Sequence, residues 1–108
     1  MSLMEQNGLK VRIDAVGNIF GRRRGSTREG VVMSGSHFDT VYNGGMFDGA
    51  MGTSAALELS SDLEKKGFEG QRKLEVVVFS SEEGSFFGRG TLGSSVFVRK
   101  VSVGEALA

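Results

Sequence analysis

Cysteine is absent from the 108-residue chain, so neither a disulfide framework nor a thiolate metal site can be built from it. That fits a reducing compartment, and a cytoplasmic location is the expectation. Charge of one sign is not in excess either. Thirteen Lys and Arg balance thirteen Asp and Glu, which removes the broad cationic field that nucleic-acid binding relies on. No apolar run approaches the roughly 20 residues of a membrane span, and no signal peptide is visible. What remains is one small soluble domain, or part of a larger one, that buries at best about two-thirds of its unfolded surface. A small molecule is the expected partner, with no nucleic acid and no membrane. Met1-Ser2-Leu3, ahead of Met4, reads as an expression leader and is left outside the fold.

Histidine is almost absent as well, and its single occurrence, His37, lies in the most informative stretch, SGSHFDTVYNGGMFDG from Ser34 to Gly49. Asp39 follows two residues on, and Asp48 stands beyond a Gly-rich loop. Imidazole and carboxylate together are the ligand mix of hard and borderline divalent metals. Val31-Val32-Met33 is a short apolar run ending in small residues, which places His37 at the carboxyl end of a buried strand. Leu74 to Phe79 is the strongest strand signal in the chain, and it runs through Ser80-Ser81 into Glu82-Glu83. If the two strands are parallel neighbours, both polar clusters share one sheet edge, where open α/β sheets bind ligands. Adjacent Glu residues at a strand end point to different sides, so one can ligate a metal while the other faces a water in front of it. Asp39 has a separate use, because a metal-bound imidazole usually donates its other N–H to a carboxylate.

Each of these residues also has a plainer reading. A lone histidine at a strand end is more often simply hydrogen-bonded than a ligand. Asp48 next to Gly49 suits a helix cap or turn, and Glu82-Glu83 suits an exposed strand end. Gly44-Gly45 lacks the spacing of a phosphate-binding loop.

The motifs SGSHFDTVYNGGMFDGAMG and VVVFSSEEGSFFGRGTLGSSVF, preceded by VRIDAVGNIFGRRRG, resemble the metal-dependent amidohydrolases that comprise N-carbamoyl-L-amino-acid hydrolases, allantoate amidohydrolases and β-ureidopropionases, within the M20-type dizinc peptidase group. The resemblance extends from about Gly8 to Val98. It implies a partial dizinc-peptidase-like catalytic domain over residues 1–108 and a cofactor of two divalent metals, Zn or Mn. By the same resemblance His37 ligates one metal, Asp48 bridges both, Glu83 ligates the other, Glu82 is the general base, and Asp39 orients His37. The substrate class implied is a linear ureido or amide compound, an N-carbamoyl amino acid or allantoate. Members of the family are several times longer and complete each metal site with a further histidine, which this chain does not contain. An internal piece of a catalytic domain is therefore the expectation, inactive by itself. The alternative function is a non-catalytic module stabilised by self-association, and a homo-oligomer is expected.

The remaining pattern gives an α/β fold: a mixed sheet with a parallel βαβ core and an N-terminal β-hairpin. Leu9 to Asp14 alternates, and Gly17-Asn18 precedes Ile19-Phe20, which reads as the hairpin. Arg22-Arg23-Arg24 reads as a solvated strand end or turn, the alternative being an anionic-ligand site. Ala55, Ala56, Leu59 and Leu63 predict a helix over Gly52 to Lys66, closed by Gly67, its start bringing backbone N–H groups near the site. Strand, helix and strand predict a right-handed crossover, with the Leu74 strand covered on both faces. Thr91 to Val98 reads as a short helix or an extended segment, and Val101 to Ala108 is weakly patterned.

Overall fold

The computed structural model describes residues 2–27, 30–41, 44–83 and 90–108. A short helix, α1 (Ser2–Gln6), precedes the hairpin of β1 (Lys10–Ile13) and β2 (Ile19–Arg23), in which Lys10 faces Arg22 and Ile13 faces Ile19. Ser2 and Leu3, expected outside the fold, are thus helical, and Met4 beside them is buried in the core. The hairpin turn is held by Asp14, whose Oδ1 accepts the N–H groups of Val16 and Asn18.

Strand β3 (Val31–His37) continues through the small residues Ser34, Gly35 and Ser36, so the strand is longer than its apolar run, and His37 is its last residue. Helix α2 (Ala50–Lys65) then crosses to β4 (Lys73–Phe79), which runs parallel to β3 with His37 beside Phe79. The helix starts two residues before the predicted Gly52. Its N-cap is Gly49, and no side chain caps it, which rules out the reading of Asp48 as a helix cap. The sheet order is β1-β2-β4-β3, with β2 and β4 antiparallel. Parallel pairing of β3 and β4 brings their carboxyl ends to one edge. His37 and the Glu82-Glu83 pair are therefore on the same side of the sheet.

Side chains alternate across β4, so its two faces have different cores. Val76 and Val78 pack with Met4, Leu9 and Ala56 beneath the helices. On the opposite face Phe20 and Phe79 meet Phe97, with ring centroids at 5.5 and 5.9 Å. Phe97 belongs to α3 (Leu92–Phe97), the helical form of the segment that allowed two readings. The last helix, α4 (Val103–Leu107), falls where the pattern is weak. A capping box forms it, with Glu105 N–H donating to Ser102 Oγ and the Glu105 carboxylate accepting from Ser102 N–H.

The arginine run lies at the end of β2 as expected, with Arg24 exposed beyond it, but Arg22 and Arg23 are paired. Arg22 Nε donates to Glu75 at 2.7 Å, and Glu75 is a fully buried carboxylate on β4. Arg23 reaches Glu64 at 2.7 Å and the Phe68 carbonyl. Arg12 lies 3.8 Å above the Phe20 ring, adding a cation against its face.

Candidate metal centre

His37 is buried, and both faces of its environment are set by neighbouring backbone. Its Nδ1 lies 2.9 Å from the Asp39 carbonyl oxygen. A carbonyl only accepts, so Nδ1 carries a hydrogen, and Nε2 is directed to the other side of the ring. Thr53 of α2 donates its hydroxyl to the His37 carbonyl at 3.1 Å, tying helix to strand. Gly49, at φ 72°, lies against the imidazole so closely that a Cβ there would stand 2.4 Å from the ring. The Asp48-Gly49 dipeptide thus supplies a carboxylate and a surface against which the ring rests.

Asp39 connects the two strand ends. One carboxylate oxygen accepts the Glu82 N–H at 3.1 Å, and the other accepts the Glu83 N–H at 2.9 Å. Its carboxylate also approaches His37 Nδ1 to 3.5 Å, farther than its carbonyl does. Orientation of the ring was the role expected from the carboxylate. In the structure the carbonyl makes the shorter contact, and the carboxylate holds the glutamate loop.

That loop has almost every backbone group engaged. Ser80 N–H donates to Asn18 Oδ1, while the carbonyls of Ser80, Ser81 and Glu82 accept from Gly93, Leu92 and Thr91 at the start of α3. Ser81 adopts φ 49°, a left-handed conformation that turns the chain out of the strand. The result differs from a simple strand end, where adjacent side chains diverge. Ligand atoms of His37, Glu82 and Glu83 all lie within 4.8 Å of one another.

His37 Nε2 faces Glu82 Oε2 at 3.4 Å and Asp48 Oδ1 at 4.0 Å. Asp48 in turn is hydrogen-bonded to Glu83, and this bond, with burial and the charges of Asp48 and Glu82, holds the Glu83 carboxyl above its ordinary value, while His37 acts the other way. Carboxylates crowded into one space repel one another, and the His37 Nε2 lies among them. Imidazole and carboxylates are donors that a divalent cation takes, so this set fits a metal by its own chemistry. The four side chains named from the sequence, His37, Asp48, Glu82 and Glu83, are brought together, with Asp39 behind them. Geometry groups Glu82 with His37 more closely than Asp48. Sequence reasoning gave no site role to Gly49, Thr53 or Asn18; the Asp-Gly and Gly-Asn dipeptides were the only signals of Gly49 and Asn18, and Thr53 had none.

Comparison with known proteins bears on the chain as a whole. The family model described as peptidase family M28 matches residues 18–106. The chain is 43% identical over 106 residues to a ureidoglycolate hydrolase of Oryza sativa subsp. japonica, covering 97% of this chain and 22% of that protein. It is 44% identical over 94 residues to an N-carbamoyl-L-amino acid amidohydrolase of Geobacillus stearothermophilus, covering 86% and 23%. Other relatives carry the name allantoate amidohydrolase. The crystal structure of a hydantoinase/carbamoylase family amidase from Burkholderia ambifaria superposes with a TM-score of 0.95 at 40% identity, over 99% of this chain and 27% of that one. The chain thus spans about a quarter of the length of the relatives it matches.

Proposed function

The chain belongs to peptidase family M28, and from that membership we propose that His37, Asp48, Glu82 and Glu83 are its contribution to a binuclear metal site that hydrolyses a linear ureido or amide C–N bond. The relatives are hydrolases of amidohydrolase type, named for N-carbamoyl-L-amino acids, ureidoglycolate and allantoate, and all three names describe small linear ureido compounds. The observation that carries the reading is the Nε2 of His37 facing carboxylates at 3.4 and 4.0 Å while its Nδ1 is engaged elsewhere.

His37 and Asp48 would hold one Zn or Mn ion, and Asp48 and Glu83 the other. A metal in such a site polarises a carbonyl and lowers the pKa of water to about 7. Glu82 takes the proton of the attacking water on a carboxylate oxygen and returns it to the leaving nitrogen as the C–N bond breaks. Asp39 keeps Glu82 and Glu83 in register with His37 through its two N–H bonds.

Metal titration of the purified chain, followed by calorimetry, tests the assignment. Zinc binding is expected for the native chain, loss of it for His37→Ala, weakening for Glu83→Gln, and retention for Glu82→Gln. Equal weakening in the two glutamate variants would show that the pair is assigned wrongly. Absence of zinc binding by the native chain would overturn the metal reading.

A second reading, a non-catalytic self-associating module, is favoured by one observation: Val31, Val32 and Met33 are exposed along β3 at the sheet edge.

A further inference from the structure

Asn18 is completely buried at the hairpin end of the sheet, and no chemistry of the site uses it. Its amide nevertheless joins three segments far apart in sequence. Oδ1 accepts the Ser80 N–H at 2.9 Å, and Nδ2 donates to the Gly93 carbonyl at 2.9 Å and to Asp14 Oδ2 at 2.7 Å. Ser80 Oγ adds a bond to the Val16 carbonyl at 2.6 Å, so hairpin turn and strand end are held twice. The space is closed: a Cβ on Gly93 would stand 2.1 Å from Asn18 Oδ1 and 2.6 Å from the Ser80 carbonyl.

Register explains why a side chain is used here. The β2–β4 ladder ends at Ile19 opposite Val78. Beyond it the backbone of the hairpin is occupied by its own turn, where Asn18 O accepts from Asp14 N–H and Gly17 N–H donates to Asp14 O. The Asn18 carboxamide supplies the acceptor that the ladder no longer offers to Ser80 and the donor that fastens α3 through Gly93. From there α3 returns three N–H groups to the carbonyls of Ser80, Ser81 and Glu82. The direction of Glu82 and Glu83 is thus set on one side by Asp39 and on the other by Asn18 acting through Ser80 and α3.

We infer that Asn18 is a positioning residue of the metal centre, which fixes the Ser80–Glu83 turn without touching the site. The inference rests on the metal reading for its affinity arm and on the fold alone for a second arm. Asn18→Asp keeps an acceptor for Ser80 but cannot donate to Gly93, and Asn18→Ala removes both functions. Val11→Ala, which trims a half-buried side chain packed on the opposite core, serves as a destabilised control that leaves the turn intact.

Hydrogen exchange of the Ser80, Glu82 and Glu83 amides, read against Val76 and Val77 within β4, gives the metal-independent arm. In both Asn18 variants the amides of Glu82 and Glu83 are expected to exchange at least about ten times faster while the β4 amides stay protected, and in Val11→Ala the two groups change together. Zinc affinity gives the other arm, with an expected loss of about 10–100-fold in the Asn18 variants, the range seen when outer partners of a metal site are removed, and less than about threefold in Val11→Ala. Should zinc fail to bind the native chain, the metal reading falls and the exchange arm still decides the positioning role. Unchanged Glu82 and Glu83 exchange in a folded Asn18→Ala protein would overturn the inference. So would loss of β4 protection in parallel with the turn in both Asn18 variants.

Discussion

Gly49 has more effect on the site than its lack of a side chain suggests. The position combines φ 72° with contact against the His37 ring, and a Cβ would stand 2.4 Å from that ring. Gly49→Ala therefore has to bear the left-handed backbone and displace the imidazole as well. An expected cost of about 1–3 kcal/mol follows from the backbone, with zinc affinity falling at least tenfold because the ring moves; urea denaturation and calorimetry measure the two separately. Glu83 is one residue through which pH acts. Its carboxyl is raised from 4.5, first by the hydrogen bond to Asp48 and then by burial and its neighbours' charge. A carboxyl raised in the folded state binds its proton more tightly there than in the unfolded chain. The metal-free protein thus gains stability from it below the ordinary value and loses that gain as pH rises through the raised one. Comparing melting temperature with pH for the metal-free chain and for Glu83→Gln should show this downward slope only where Glu83 is present. Zinc competes with the same proton, so affinity should weaken as pH falls into that window.

At the level of elements, the two faces of β4 divide the work. The helical face buries Val76 and Val78 against Met4, Leu9 and Ala56, while the other face relies on aromatic contact with α3. Phe20 is central to that second face, 1% exposed, with Phe97 on one side and the Arg12 guanidinium over its ring. Phe20→Ala should cost about 3–5 kcal/mol in a urea titration, the range for a buried phenylalanine that leaves a cavity. Because α3 also supplies the N–H groups that hold the Ser80–Glu82 carbonyls, this substitution should loosen the glutamate loop even though Phe20 is remote from it in sequence. Faster amide exchange at Glu82 and Glu83 in the folded variant would register that coupling. Helix α2 works from the other side, its Thr53 hydroxyl anchoring the His37 carbonyl.

Across the whole molecule, the charge and ligand inventory bounds what this polypeptide does alone. A catalytic zinc usually keeps three protein ligands, and with a single histidine in 108 residues the available groups give each of two metals only two. Little or no turnover of N-carbamoyl amino acids, ureidoglycolate or allantoate is therefore expected of the chain with added zinc or manganese. Sustained turnover abolished by Glu82→Gln would show that two ligands per metal, or an arrangement shared between copies, are enough. The exposed apolar surface points to association. Val32 on edge strand β3 and Phe47 and Met51 at the start of α2 are 52%, 70% and 66% exposed. An unpaired strand edge of this composition is a pairing surface, which a charge on it discourages. Sedimentation velocity should show concentration-dependent association of the native chain that Val32→Lys reduces. Among the described residues, no helix is long and apolar enough to cross a membrane.

The sequence by itself determined the order of the hairpin, β3, α2 and β4, and the residue types available to the site. Alternation at Leu9 to Asp14, the apolar run at Leu74 to Phe79 and the helical spacing in α2 are local patterns, and the parallel pairing of β3 with β4 follows from them by topology. His37, Glu82 and Glu83 stood out as candidates by residue type and by their places beside strand ends, Asp48 by its place after the Gly-rich loop, and the separate roles came only from the family resemblance. Only the tertiary structure decided which atoms meet. Asp39 bonds to amides 43 and 44 residues away, and Asn18 to a carbonyl 75 residues away; no local periodicity encodes such distances. The burial of Glu75 against Arg22 depends on strand register, and the left-handed turn at Ser81 is held by surrounding hydrogen bonds against its own conformational preference. A chain writes its strands and helices in short-range pattern, but the direction of a side chain at the end of a strand is set by whatever the fold places beside it.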